Sequence, residues 1–144
     1  MENNIFIAKK ILTDEDLTFV AVCGCKIIKN KNRGVKPIIE LVDKKKSLEG
    51  YAVADKVIGK AAALMYVLLN PDGIYAKVIS KYALRIFEKF KVNIIYDSLV
   101  DHIVNRTNDG LCPMEAAVLC TDEPEEAFVL IKNKLNQLNK KGDV

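Results

Sequence analysis

The sequence has no tryptophan, a single histidine and no long uninterrupted apolar run. A membrane-spanning helix needs roughly 20 consecutive apolar residues, and charged residues, which make up 28% of the chain, interrupt every apolar stretch before that length. We therefore expect no transmembrane segment. The first four residues lack the basic segment and the apolar run of a signal peptide. Together these absences predict a cytoplasmic protein.

The chain has few side chains that bind zinc. Its histidine is His102, and its cysteines are Cys23, Cys25, Cys112 and Cys120. Their spacings match no common zinc motif, and cysteines in a cytosolic chain of this size are expected to be reduced thiols. We therefore predict no metal site, no cofactor and no disulfide framework.

The composition is otherwise that of one compact domain. The chain has 144 residues, half of them hydrophobic, which suits a single core and excludes a disordered protein. The net charge of +3 is the balance of 22 basic and 19 acidic residues. A charge this small implies no polyanionic partner unless the basic residues cluster.

The first part of the chain predicts a helix, an antiparallel hairpin and a second helix. Residues 4–12 follow the helical period of apolar residues. The β-rich runs 17–23 and 25–29 flank Gly24, which is typical of a hairpin. Residues 35–42 return to the helical period, with a proline in the first turn.

The middle of the chain predicts a buried helix followed by a strand–helix–strand unit. Residues 55–69 are apolar on both helical stripes, which indicates a helix buried on most sides. A strand at 74–79, a helix at 81–90 and a strand at 92–96 follow with short connections. Such a unit is right-handed with parallel strands, so we expect a mixed sheet.

The last part of the chain predicts helices and loops. A short helix is expected near residues 97–103, and a polar loop follows at 105–110. A proline after Cys112 suits the start of another short helix. The last helix is expected to begin near residues 122–124.

Three stretches carry a resemblance to a known family. They are Tyr-Ala-Val-Ala-Asp-Lys-Val-Ile-Gly-Lys-Ala-Ala-Ala at 51–63, Ala-Lys-Val-Ile-Ser at 76–80 and Leu-Cys-Pro-Met-Glu at 111–115. They resemble an uncharacterised prokaryotic family of deaminase-like proteins, catalogued as a domain of unknown function. The resemblance covers nearly the whole chain. It implies one α/β domain over residues 1–144 with a cytidine-deaminase-like three-layer fold, a mixed sheet of an antiparallel hairpin and parallel strands, and helices on both faces. It also implies self-association.

The deaminase motifs can be compared with the sequence residue by residue. Zinc nucleobase deaminases carry His/Cys-x-Glu at the start of the central helix and Pro-Cys-x-x-Cys at a later helix start. The first motif falls on the segment from Val53 to Asp55, or, in an alternative register, on that from Asp55 to Val57. The second falls on the segment from Ser80 to Ala83, which has neither cysteine. Because catalytic zinc usually needs three protein ligands, we predict that zinc-dependent deamination is lost.

The first candidate site is the start of the predicted central helix. Asp55 and Lys56 lie there, with Lys60 one turn further. The free N–H groups and the dipole of such a start hold anions, so two lysines there are suited to phosphate. The alternative is an Asp55 N-cap with exposed lysines.

Other candidates lie in the last third of the chain. Cys112 begins a predicted short helix, where the pKa of a thiol can be lowered; the alternative is a small buried hydrophobic residue. Glu115 in the same helix is suited to capping or to a cation. Asn105 and Arg106 could contact a phosphate or a base edge, and a solvated loop is the alternative.

Our leading hypothesis is a domain that binds a nucleotide or a nucleoside derivative in the cleft at the start of the central helix, without ordinary zinc chemistry. In an enzyme, Asp55 would be the acid or base and Cys112 the nucleophile. The predicted ligand-binding residues are Lys56, Lys60, Ser80, Asn105, Arg106 and Glu115.

Two other hypotheses remain open. The first is a non-catalytic RNA-binding or regulatory module that uses a basic run but lacks interleaved aromatic residues for stacking; solvated lysines at a sheet edge explain the same run. The second is a thiol enzyme or redox sensor that uses Cys112. The basic run comprises Lys26, Lys29, Lys31, Arg33 and Lys36.

Overall fold

The computed structural model describes residues 2–32, 34–104 and 110–140, which form a five-stranded mixed sheet with helices on both faces. The strand order across the sheet is β2-β1-β3-β4-β5. In chain order the elements are α1 (Glu2–Asp14), β1 (Phe19–Cys23), β2 (Lys26–Asn30), α2 (Lys36–Asp43), β3 (Ala52–Ile58), α3 (Lys60–Leu69), β4 (Gly73–Ser80), α4 (Lys81–Lys89), β5 (Ile94–Val100), α5 (Pro113–Ala117) and α6 (Pro124–Lys140).

The sheet combines an antiparallel hairpin with a parallel half. Strands β1 and β2 pair in register from Phe19 opposite Asn30 to Cys23 opposite Lys26, and Gly24 makes the turn with a φ of 60° that favours glycine. Strand β1 is also antiparallel to β3, whereas β3, β4 and β5 run parallel. The predicted hairpin, the parallel β4–α4–β5 unit and the mixed sheet are confirmed.

Helix α3 is the centre of the main core. Nearly all of its side chains are buried, including those of its three alanines. Helices α2, α4 and α6 pack on the same side. Helix α1 covers the opposite face over β1 and β3, where Ile5, Ala8 and Leu12 join a second, smaller core.

The central helix begins later than the sequence suggested. A helix over 55–69 is wrong, because residues up to Ile58 belong to strand β3 and the helix starts at Lys60. A strand buried on both faces has the same continuous apolar pattern as a buried helix, so periodicity alone does not separate them. The β-branched Val57 and Ile58, followed by Gly59, mark the boundary.

Strand β5 is longer than expected and replaces a predicted helix. The short helix near residues 97–103 is wrong, because the strand runs on to Val100 beside β4. Asp97 resembled a helix cap, but its carboxylate instead accepts a 2.5 Å hydrogen bond from the Tyr75 hydroxyl of β4. The helices that begin at Pro113 and Pro124 are confirmed.

Within the described residues, no helix is both long enough and apolar enough to cross a membrane.

Candidate functional site

The first turn of α3 is capped by a side chain from α5. The Glu115 carboxylate accepts hydrogen bonds from the backbone N–H of Lys60 at 2.6 Å and of Ala61 at 2.8 Å. Helix starts leave such N–H groups without partners inside the helix. Glu115 therefore caps the N-terminus of α3, although it lies 55 positions after Lys60 in the chain.

Gly59 makes this contact possible. It occupies the N-cap position with an extended backbone, so it supplies no side-chain acceptor. A Cβ at this position would overlap the carboxyl group of Glu115. The requirement for glycine therefore comes from the close approach of the carboxylate and not from a strained backbone angle.

Lys60 adds a buried positive charge beside Glu115. Its Nζ lies 3.0 Å from Asp122 and donates a 3.2 Å hydrogen bond to the carbonyl of Leu119. The second carboxylate oxygen of Asp122 lies 3.8 Å from Lys89 of α4. The hydrogen bond from Lys60 is the main cause that lowers the pKa of Asp122.

The protonation of Glu115 reflects two opposing effects. Burial raises the pKa of its carboxyl group above the ordinary value. The N–H groups of Ala61 and Lys60, and the charge of Lys60, act in the opposite direction. The first turn of α3, Lys60, Glu115 and Asp122 form one connected group of hydrogen bonds and ion pairs, which we call the α3 cap cluster.

Ser80 caps the next helix in the ordinary way. Its fully buried Oγ accepts a hydrogen bond from the Ala83 N–H at 3.1 Å, at the start of α4. The predicted N-cap is confirmed. The Oγ that was a candidate ligand contact thus accepts a hydrogen bond from α4.

Asp55 lies in the middle of β3, so its predicted place at a helix start is wrong. Its buried carboxylate accepts a 2.5 Å hydrogen bond from the Tyr66 hydroxyl of α3 and a 3.3 Å bond from the Val57 N–H. Burial is the main cause that raises the pKa of Asp55 to about 7, and the bond from Tyr66 partly offsets it. Burial also raises the pKa of Tyr66 well above its usual value.

Lys56 also lies in β3 and not at a helix start. Its side chain is exposed and lies 3.8 Å from Asp16, in the turn that follows α1. The two lysines predicted to act together are therefore separated, because the head group of Lys60 belongs to the α3 cap cluster.

The remaining sequence candidates have separate places. Cys112 is half-buried at the N-cap position of the five-residue helix α5, and its N–H donates to the Ile103 carbonyl at 3.1 Å. Asn105 and Arg106 lie outside the described residues. In the basic run, Lys29 pairs with Glu15 at 2.9 Å on the exposed edge of the sheet.

Potential metal ligands are dispersed. Across residues 2–32, 34–104 and 110–140, no three His, Cys, Asp or Glu side chains converge as they would around a metal ion. The first turns of α3 and α4 contain no histidine or cysteine.

A surface groove of about 340 Å³ lies outside the predicted cleft. It opens between the ends of α2 and α3 and the start of α6, and Val42, Leu69 and Phe128 contribute its apolar wall. None of the candidate ligand-binding residues that the structure describes lines it.

Sequence reasoning missed two residues of these arrangements, Tyr66 and Asp122. A tyrosine within an otherwise apolar helix is a usable signal, because a buried hydroxyl needs a hydrogen-bond partner. No local pattern marks Asp122 as the partner of a lysine on a distant helix.

Comparison with known proteins adds a family. A family model described as "TM1506: Domain of unknown function (DUF1893)" matches residues 7–135. The chain belongs to the DUF1893 family. The crystal structure of a DUF1893 family protein (TM1506) from Thermotoga maritima is similar, with a TM-score of 0.87 and 36% sequence identity over 93% of this chain and 91% of that one. No curated protein matches the chain.

Proposed function

We propose that the protein binds an anionic, nucleotide-like ligand at the first turn of α3, on a cytidine-deaminase-like scaffold without the zinc ligands. The order of helix, hairpin, helix and alternating strands and helices supports this scaffold. The absence of histidine and cysteine from the first turns of α3 and α4 supports the loss of zinc chemistry.

The observation that carries the proposal is the pair of hydrogen bonds from successive N–H groups to Glu115. A phosphate group presents the same kind of charged oxygen acceptors as a carboxylate, and helix starts bind both. Lys60 supplies a positive charge that attracts a phosphate. Gly59 has no side chain, so it leaves space for the phosphate where the Glu115 carboxyl group now lies. Glu115 is thus an internal substitute for the anion of the ligand.

A ligand phosphate can occupy this place only after Glu115 leaves it. Glu115 lies on α5, a single short helix that packs against α3 and α6. Its withdrawal breaks two charge-assisted hydrogen bonds, so part of the binding free energy is used for opening. The affinity of the ligand therefore depends on a competition between two anions for the same N–H groups.

Isothermal titration calorimetry with ATP, GMP and ADP-ribose tests the proposal on three proteins. The wild type is expected to bind at least one of these compounds. Glu115→Gln carries no competing charge and is expected to bind it about tenfold more tightly, which corresponds to 1.4 kcal/mol. Lys60→Met is expected to lose binding.

Lys81→Met is the matched control. Lys60 and Lys81 are each the first residue of a helix that follows a parallel strand, but Lys81 is exposed and pairs with Asp101. The proposal fails if neither the wild type nor Glu115→Gln binds any of the three compounds, or if Lys81→Met weakens binding as much as Lys60→Met.

A further inference from the structure

Strand β5 is an exposed edge of the sheet. In the part of the chain that the structure describes, it pairs with β4 alone. The five side chains from Ile95 to Leu99 are exposed, on both faces of the sheet, and they include Ile95 at 56%, Tyr96 at 38% and Leu99 at 40%. An apolar strand with both faces open is unusual at the edge of a folded sheet.

The two edges of the sheet differ in their protection against pairing. Strand β2, at the other edge, carries Lys26 and Lys29, and lysine on an edge strand discourages contact with another edge. Strand β5 has the sequence Ile-Ile-Tyr-Asp-Ser-Leu-Val, without lysine, proline or glycine. Of the two edges, β5 has only the charge of Asp97 to oppose pairing with a second strand, and that carboxylate accepts a hydrogen bond from Tyr75 within its own sheet.

The backbone of β5 is arranged to accept another strand. The N–H of Ile74 on β4 donates to the carbonyl of Asn93, just before β5. Because successive residues of a strand direct their polar backbone groups to opposite sides, Ile94, Tyr96 and Ser98 direct theirs away from β4. These groups form a row of donors and acceptors at the outer edge.

We propose that a second copy of this chain pairs with β5 in antiparallel orientation, so that the two sheets become one. The strand offers its partner an identical edge without lysine or proline, and a two-fold axis closes the assembly at a dimer. By contrast, pairing of two β2 edges would bring lysines together.

The charge of Asp97 selects the register of this pair. With Asp97 on the two-fold axis, two carboxylates would lie directly opposite each other, which is destabilising. Sliding the partner strand by two residues moves the two-fold axis from Asp97 to Tyr96, which then lies opposite Tyr96 of the partner subunit. A slide by two residues keeps each side chain on the same face of the joined sheet. The outward backbone groups of Ile94 and Ser98 then meet those of Ser98 and Ile94 of the partner subunit, and the paired tyrosines add a favourable aromatic contact.

Sedimentation equilibrium on the full chain tests the dimer with two β5 variants. Ile95→Glu places a carboxylate directly opposite Asp97 of the partner subunit, twice in the symmetric pair, and is expected to raise the dimer dissociation constant at least about tenfold. Ser98→Pro removes one outward N–H without touching a bond to β4, and it is expected to have the same effect. Circular dichroism checks that each variant is folded.

Ile27→Glu is the matched control, because Ile27 is a similarly exposed isoleucine, at 45%, on the opposite edge strand. It is expected to leave the dimer unchanged. A wild type that stays monomeric as its concentration rises overturns the proposal, as does a dimer that resists Ile95→Glu. Open-ended growth with rising concentration would mean head-to-tail pairing of β5 with β2, which also overturns it. If Ser98→Pro does not fold, Ile95→Glu alone decides.

Discussion

The carboxyl group of Glu115 occupies the space that a side chain at Gly59 would need. Gly59→Ala is therefore expected to lower the free energy of unfolding by about 1–3 kcal/mol, as overpacking of a buried site does. In a Glu115→Ala background the same substitution is expected to cost about 1 kcal/mol less, a coupling typical of residues in contact. Urea unfolding of the four proteins of this cycle measures the coupling. Equal costs of Gly59→Ala in both backgrounds would show that the two residues do not constrain each other.

The buried Asp55 makes stability depend on pH. Its pKa is about 7 in the folded protein and about 3.9 in an unfolded chain. Between these pH values the folded state holds a proton that the unfolded state has released, so the contribution of Asp55 to stability falls as pH rises from about 4 to about 7. The fall amounts to as much as about 4 kcal/mol.

Asp55→Asn does not titrate, so its free energy of unfolding is expected to lack this decline. Urea unfolding across this pH range compares the variant with the wild type. Asp16→Asn, a change at an exposed aspartate, is the control and should keep the slope of the wild type. A wild-type slope in Asp55→Asn would assign the decline to another group.

The Tyr66 hydroxyl is expected to matter most when Asp55 is ionised. Its hydrogen bond lowers the pKa of Asp55 against the effect of burial, so Tyr66→Phe should raise that pKa further. Above pH 7, the variant leaves a buried carboxylate without its side-chain partner, at a cost of about 1–3 kcal/mol. Well below that pH the cost should be smaller. Urea unfolding below and above the pKa of Asp55 measures the cost of Tyr66→Phe, with the double variant Asp55→Asn/Tyr66→Phe as the reference. A cost that does not change with pH would contradict this explanation.

Ser80 provides a local test of capping. Ser80→Ala removes the acceptor for the Ala83 N–H and is expected to reduce the free energy of unfolding by about 1 kcal/mol. The control Ser98→Ala, at an exposed serine of β5, should change stability little. Thermal unfolding compares the two variants, and an equal loss for Ser80→Ala and Ser98→Ala would argue against the cap.

The cysteines are expected to differ in their reaction with an alkylating agent. Cys25 and Cys120 are exposed, whereas Cys23 and Cys112 are half-buried. Because the reagent reaches exposed thiols more easily, we expect Cys25 and Cys120 to be alkylated first in the folded protein. Pulse labelling followed by peptide mass spectrometry measures the order. A Cys112 that reacts before Cys25 would contradict this order and favour the thiol-enzyme hypothesis.

The parts of the fold that were predicted correctly depend on neighbours in sequence. Gly24 supplies the turn of the hairpin, Ser80 caps α4 three residues away, and Pro113 begins α5. Each of these residues determines the structure of its own helical turn or hairpin, so the local sequence is enough to predict that structure.

The errors occur where distant strands decide the structure. The sequence pattern predicts helices at residues 55–58 and 97–100, but β4 pairs with both segments, and β1 also pairs with Asp55. An apolar run does not reveal how many strands will flank it. The same limit applies to the site, because Lys60 and Glu115 were recognised separately while their contact depends on the folded chain.

A cap that lies 55 positions downstream also sets an order of events during synthesis. The first turn of α3 leaves the ribosome before Glu115 has been added to the chain. Until Glu115 is added, the N–H groups of Lys60 and Ala61 lack the carboxylate that accepts from them in the folded protein. The central helix is therefore capped only after α5 has been synthesised.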